Sequence, residues 1–289
     1  MKQPATIVQP LSPLLIEPAV RAALLEDIGR AGDLTTEATI PITATAHGTI
    51  SAREPGRISG LDFAATAFRL LDPRIKMKIS VADGSSVDHG EIIATIEGPA
   101  RPILTGERVA LNFLGRLSGV ASATASLVAL VSGTKARVVC TRKTTPGLRA
   151  FEKYAVRCGG GHNHRFGLDD GILIKDNHIV AAGGIANAIK AARAHAGHMV
   201  HVEVEVDNLE QLGEALSLGA NSILLDNMPP ETLREAVKLT AGRAVLEASG
   251  NVTAATIAAI AATGVDLISS GAITHSPRCL DLGLDFKPL

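Results

Sequence analysis

Tryptophan is absent from this chain of 289 residues, tyrosine occurs once and phenylalanine six times. So few rings do not suit the stacking platforms on which single-stranded nucleic acids lie. The core is left to Ala, Val, Ile and Leu, which suits buried parallel strands with helices over them. Cysteine is scarce as well. Cys140, Cys158 and Cys279 are scattered without a CxxC spacing, so neither a disulfide framework nor a cysteine-based zinc site is expected, and reduced thiols in a cytoplasmic protein are. An excess of one charge is also missing: 28 Lys and Arg stand against 29 Asp and Glu. That balance argues against a general binder of nucleic acid or of membrane surfaces. No uninterrupted apolar run reaches about 18 residues, so no membrane span is expected. Residues 1–18 hold no long apolar stretch, which argues against a signal peptide. Neither GxGxxG after a strand nor GxxxxGK[ST] occurs, so dinucleotide and P-loop binding lack support.

What is present divides the chain in two. The first part reads as α+β: a helix over 17–28, strand-like runs at 46–52, 75–81 and 91–96, and a helix over 62–71. Residues 81–91 look like half of a lipoyl-type hairpin, but no lysine stands at a matching tip, so this is scaffold. From about Val120 strands alternate with helices. The strands are 135–140, 171–174, 201–206, 222–225, 244–247 and 265–269; the helices fall near 120–131, 148–158, 183–196, 208–218, 230–240 and 253–263. Six such units favour a closed or nearly closed parallel α/β barrel, with a doubly wound open sheet as the runner-up. The expected domains are 1–117, an α/β sandwich-like α+β domain, and 118–273, the barrel.

The polar residues fall where such a barrel would use them. Arg142-Lys143 follow the first strand and Lys175 to His178 the second. Glu203 and Glu205 lie two apart on the third, so they share a face that in a barrel can be the interior. Asp226-Asn227 follow the fourth, Glu247 to Asn251 the fifth, and Ser269 to Ala272 the sixth. Sites of α/β barrels form at the carboxyl ends of the strands, and small loops after the last strands often bind phosphate through backbone N–H groups. Each residue also has a plainer reading. Arg142 and Lys143 could be surface charges, Glu203 and Glu205 a solvated strand face, and Asp226 a helix cap. The pair His162 and His164 lacks a third zinc-type ligand nearby.

The densest feature is Thr141-Arg142-Lys143-Thr144-Thr145-Pro146-Gly147-Leu148-Arg149, followed by Gly159-Gly160-Gly161-His162-Asn163-His164-Arg165. So many cations beside glycine backbone suggest a polyanion pocket, because Arg presents a planar fork to carboxylates and phosphates. These two elements, with Gly106-Glu107-Arg108, Leu224-Leu225-Asp226-Asn227 and Ser270-Gly271-Ala272, closely resemble the quinolinate phosphoribosyltransferase family over nearly the whole chain.

The resemblance implies transfer of phosphoribose from phosphoribosyl pyrophosphate (PRPP) to quinolinate with loss of CO2, giving nicotinate mononucleotide and pyrophosphate. It implies Mg²⁺ and no organic cofactor. It places the dicarboxylate ligands on Arg108, Arg142, His164, Arg165 and Lys175, with Thr141 beside them, and puts Lys143 near the pyrophosphate. Glu205 and Asp226 fall near the ribose and its metal, and Ser249, Gly250, Asn251, Ser270, Gly271 and Ala272 fall in the phosphate-binding loops. Lys143, Glu205 and Asp226 are the expected catalytic residues. It further implies a homodimer or higher oligomer in which Arg108 reaches the neighbouring subunit's site, and a tail, 274–289, that returns to the first domain. The weighed alternatives are a relative from molybdate-transport operons, a phosphoribosyltransferase acting on nicotinate, and a non-catalytic anion-binding module.

Overall fold

The computed structural model describes residues 8–288. The chain begins α1 (Pro13–Ile28), α2 (Leu34–Thr39), β1 (Thr45–Ala52), β2 (Gly56–Arg57), α3 (Leu61–Leu71), β3 (Lys76–Ile79), β4 (Ser86–Val87), β5 (Ile92–Pro99) and α4 (Ala100–Leu130). It continues β6 (Arg137–Val139), α5 (Arg149–Cys158), β7 (Ile172–Ile174), α6 (Asp176–Ala181), α7 (Ile185–His195), β8 (Val202–Val206), α8 (Leu209–Ser217) and β9 (Ser222–Asp226). It closes with α9 (Pro230–Thr240), β10 (Val245–Ser249), α10 (Ile257–Ala261), β11 (Leu267–Ser269), α11 (Ala272–His275) and β12 (Leu282–Pro288). Two compact units form. One holds residues up to Ala123, with Phe151–Gly160 and the stretch from Pro277 on; the other holds Thr124–Ala150 and Gly161–Ser276.

The first unit is built on an antiparallel sheet of order β12-β1-β5-β3. The tail strand β12 pairs along the whole of β1's described partner run, from Ala46 opposite Pro288 to Ala52 opposite Leu282. Its few aromatic rings gather: Phe63 stacks on Phe113 at 5.0 Å and meets Phe151 edge-on at 4.8 Å. Helix α4 runs 31 residues where the sequence rhythm suggests a helix only from about 120. It is long and apolar enough to cross a membrane by length and composition, yet it buries Ile103, Ala110, Leu114, Leu117 and Val120 in this fold. Asp33 caps α2, accepting from the Thr36 amide at 3.0 Å and the Thr105 hydroxyl at 2.9 Å. Arg116 pairs at 2.6 Å with Glu152, whose side chain is wholly buried, and donates to the Pro277 carbonyl, so its task is structural.

A second buried polar knot lies at Asp83, in the stretch that resembles half a lipoyl hairpin. Helix α3 is preceded by Gly60, which has no side chain to cap it. Asp83 takes that role from a distance, accepting from the Gly60 and Leu61 amides at 3.0 and 3.2 Å and from the Tyr154 hydroxyl at 2.7 Å. Burial, with Asp83 beside it, drives the Tyr154 hydroxyl far above its ordinary range, so it remains a donor. Burial likewise pushes the Cys158 thiol up to about 11, which leaves it inert.

The second unit is a parallel sheet of order β6-β11-β10-β9-β8-β7. In chain order the first strand sits beside the last and each other strand beside its successor. That circular order belongs to a barrel; a doubly wound sheet reverses its order at a switch point. Among the described residues no ladder joins β6 to β7. The gap is spanned from the β6 side by a lone bridge between Val139 and His162, in which the His162 amide donates to the Val138 carbonyl at 2.8 Å and the Cys140 amide to the His162 carbonyl at 3.0 Å. The barrel is therefore six-stranded and incompletely closed. Short α6 and α11 sit in loops that the sequence rhythm leaves irregular.

The Asp83 knot yields the first test. Asp83→Ala strips three buried donors of their acceptor and should lower stability by about 2 kcal/mol or more, a fall of about 4–8 °C in melting midpoint. An unchanged thermal melt would show that the knot contributes nothing to the fold.

Candidate active site

A cavity of about 780 Å³ opens at the carboxyl ends of the barrel strands, within the usual size for small-molecule sites. Its wall takes a contribution from every strand of the sheet. Thr141, Arg142 and Lys143 come from the loop after β6, His164 and Arg165 from the segment that spans the gap, and Lys175 from the end of β7. Glu205 comes from β8 and Asp226 from the end of β9. Ser249, Gly250 and Asn251 follow β10, and Ser270, Gly271 and Ala272 follow β11. All the barrel residues expected from the sequence are thus together. Arg108 is not among them; it is exposed on α4, in the first unit.

The cations differ in what they are free to do. Arg142 leaves its Nε buried without a hydrogen-bond partner. An orphaned buried N–H of this kind costs about 1–3 kcal/mol. Arg165 donates to the Gly171 carbonyl at 2.9 Å, and burial, with the Arg142 charge nearby, holds it below the ordinary arginine range. Two cations that disfavour one another in a partly buried space form a receptor for negative charge. Lys175 is half exposed and rests on Glu205 at 2.7 Å. Lys143 is exposed, and its loop is pinned where the Thr274 hydroxyl donates to the Lys143 carbonyl at 2.7 Å. Arg149 does not line the cavity; it ties the loop together through the Thr144 hydroxyl at 3.0 Å and the Phe166 carbonyl at 3.2 Å.

The acidic side has an open part and a buried part. Asp226 is partly exposed, and the Asn227 side-chain amide donates to its Oδ2 at 2.7 Å. Asn227 and Asn251 both adopt left-handed backbone, with φ of 52°, a region Asn tolerates better than most residues. The Asn251 side-chain amide donates to the Asn227 side-chain Oδ1 at 3.1 Å. Between them Gly250 has φ of 94°, and a Cβ there would run into the Asn227 amide. Asn227 was not among the expected ligands; its place two residues before Pro229 reads equally well as a turn.

Below the cavity lies a polar layer that the sequence only hints at. Glu203 and Glu247 are buried inside the barrel. The His164 Nε2 lies 2.9 Å from Glu203 and 3.8 Å from Glu247. Glu247 Oε1 is buried without a partner. Burial first, and the neighbouring Glu203 second, push the Glu247 carboxyl up to about 7. A second cavity of about 240 Å³ lies on the far side of this layer, lined by Glu203, Ser222, Glu247 and Leu267 among others. Glu203 thus faces this lower space and Glu205 the upper one. His162 has its side chain exposed and stands outside this group, so the two histidines of the HNH run do not converge.

Comparison with known proteins agrees along the chain. Residues 33–118 match the N-terminal domain of quinolinate phosphoribosyl transferase and residues 120–285 its C-terminal domain. A probable nicotinate-nucleotide pyrophosphorylase (carboxylating) of Bacillus subtilis is 47% identical over 261 residues, covering 90% of both chains. The enzyme of that name from Mycobacterium leprae is 44% identical over 278 residues, covering 92% of this chain and 95% of its own. The crystal structure of NadC from Streptococcus pyogenes superposes with a TM-score of 0.94 at 42% identity, covering 97% of this chain and 99% of that one.

The raised Glu247 carboxyl sets a pH dependence of stability. A carboxyl that holds its proton more tightly folded than unfolded stabilises the fold at low pH, and that contribution is lost as pH rises through about 7. Glu247→Gln should therefore flatten the decline in melting temperature from about pH 5 to pH 8. An equally steep decline in the variant would show that Glu247 is ionised throughout.

Proposed function

This chain belongs to the quinolinate phosphoribosyltransferase family and is a decarboxylating pentosyltransferase of NAD biosynthesis; on that premise we propose how its residues divide the work. Its substrates are quinolinate and PRPP. Arg142, Arg165 and Lys175 receive the two adjacent carboxylates of quinolinate, beside Thr141 and His164. The observation that carries this reading is that Arg142, whose Nε is buried and unpartnered, lines one cavity together with Arg165. Lys143 lies toward the pyrophosphate, and the small loops Ser249-Gly250-Asn251 and Ser270-Gly271-Ala272 accept phosphate oxygens through their backbone amides.

The reaction joins the pyridine nitrogen to C1′ of the ribose as pyrophosphate leaves. Positive charge gathers on the ribose ring, and Glu205 and Asp226 stabilise it from nearby. Lys143 offsets the charge of the departing pyrophosphate. Once alkylated, the ring nitrogen is cationic and accepts the electron pair released when the C2 carboxylate departs as CO2. The ring carbon then takes a proton. No organic cofactor enters this scheme, since the ring is its own electron sink. The protein binds, orients and excludes water.

Mg²⁺ takes one or two carboxylates, keeps several waters and completes its shell with substrate phosphate oxygens. The hard oxygen donors at this site fit that habit. Asp226 is partly exposed and has one oxygen held by Asn227, so its other oxygen would serve the ion, and Glu205, with one oxygen held by Lys175, would contribute mainly charge. When bound, the ion would take ribose hydroxyls as neutral ligands and neutralise charge on the pyrophosphate oxygens.

The assembly is read as a homodimer or larger oligomer, with Arg108 of one subunit completing the site of another. Two features support it. Arg108 is exposed and stands outside the cavity lining. The first unit also exposes Leu14, Leu25, Leu34 and Ile42, apolar side chains that a partner subunit would cover. A cytoplasmic setting suits Cys140, Cys158 and Cys279, none of which forms a disulfide.

Two tests follow from this division. Arg142→Ala should raise the quinolinate KM by roughly 30- to 150-fold, the worth of about 2–3 kcal/mol of charge-assisted hydrogen bonding, while the PRPP KM changes little. An unchanged quinolinate KM would remove Arg142 from the dicarboxylate site. In the second, an Arg108→Ala chain is mixed with a Lys143→Ala chain under conditions that exchange subunits. Partial recovery of activity is expected, and none after verified exchange would argue against a shared site.

A further inference from the structure

His164 is the point at which the cavity meets the buried acids. Three ligand-type atoms, from His164, Glu203 and Glu247, lie within 4.8 Å of one another, a spacing a metal ion could use. The hydrogen bonds exclude that use. The Arg165 backbone amide donates to the His164 Nδ1 at 2.7 Å. A ring nitrogen that accepts an N–H carries no proton, so the neutral ring holds its proton on Nε2. That N–H points at Glu203 Oε2, 2.9 Å away. The lone pair a metal would need at Nε2 is therefore absent.

The same bonds commit both ring nitrogens to the protein. Nδ1 serves the backbone of Arg165, and Nε2 serves Glu203. The Ser222 hydroxyl donates to the other oxygen of Glu203 at 3.0 Å, so Glu203 is itself held in place. A chain of directed contacts results: Ser222 orients Glu203, Glu203 sets the His164 tautomer, and His164 receives the Arg165 amide. The Arg165 guanidinium, anchored on the Gly171 carbonyl, then enters the cavity from a fixed backbone.

We propose that Glu203 is a positioning residue for quinolinate binding: by accepting the Nε2 proton it locks His164 as a neutral acceptor for the Arg165 amide, and so aims Arg165 at the substrate. The proposal rests on the dicarboxylate reading of the cavity. It assigns His164 to the scaffold of Arg165, and leaves the substrate's charge to the arginines and Lys175.

The test compares Glu203→Gln with Glu203→Leu in the full-length enzyme. Gln keeps an acceptor oxygen for Nε2; Leu has similar bulk and none. Two readouts are taken: the ¹⁵N signals of the His164 ring, assigned by their loss in His164→Gln, and the KM for each substrate. The native ring should show the single Nε2–H tautomer. Glu203→Gln should keep it, with a quinolinate KM within about threefold, whereas Glu203→Leu should mix the tautomers and raise that KM about tenfold, the usual scale for loss of a supporting contact. The PRPP KM should stay unchanged in both.

A Glu203→Leu ring that keeps the Nε2–H tautomer overturns the proposal. So does a mixed tautomer with an unchanged quinolinate KM, or a Glu203→Gln variant as impaired as Glu203→Leu. Should Glu203→Leu fail to fold, Ser222→Ala, which frees the Glu203 carboxylate to turn, takes its place: a smaller rise in quinolinate KM is expected, and no change overturns the proposal. Failure of the dicarboxylate reading itself looks different: Arg142→Ala would then leave quinolinate binding intact whatever the His164 tautomer.

Discussion

Two guanidinium groups facing one cavity, Arg142 and Arg165, are the constraint around which the barrel is arranged. Like charges in a partly buried space repel, and the fold must hold them there before any anion arrives. It does so by distributing acids around them. Glu205 neutralises Lys175, Asp226 stands at the open rim, and Glu203 with Glu247 lies in the layer beneath. The interior of a parallel barrel is ordinarily filled by branched apolar side chains. Here part of that filling is exchanged for carboxylates and an imidazole, a choice that favours the ligand over the packing of the core.

The division between charge that moves and charge that stays follows from local bonding. Lys175 sits on an exposed side chain with one acidic partner, so it can leave Glu205 for a substrate carboxylate. His164 has both ring nitrogens committed and cannot. Arg142 brings an unused N–H, while Arg165 brings a guanidinium already anchored at one nitrogen. The cations of one motif are therefore not equivalent.

Much of this was legible in the chain itself. The six strands of the barrel carry short apolar runs bounded by turns, and their order and polar ends could be read directly. Glu203 and Glu205 share a face because they are two apart, and both are buried inside the barrel. Other features left weaker traces. Helix α4 starts twenty residues before the sequence rhythm suggests, because Gly106, Gly115 and Gly119 look like interruptions and are tolerated once packed. The partners of Asp83 lie 22, 23 and 71 residues away in sequence, beyond any local pattern. The His164 tautomer depends on a backbone amide and a carboxylate brought together only by the fold. Asn227 could have been found from its pairing with Gly250 and Asn251 across two loops, but a lone Asp-Asn before two prolines also reads as a turn.

The gap between β6 and β7 has a consequence for how the barrel breathes. A sheet held on one side by ladders and at one seam by a single bridge separates first at that seam. The seam is filled by His162 to Arg165, so the segment that carries Arg165 is held to β6 by a bridge of two backbone hydrogen bonds. Amides there should exchange with solvent well before those of β9 and β10, and a bound dianion, by gripping Arg142 on one side of the seam and Arg165 and Lys175 across it, would act as the missing rung.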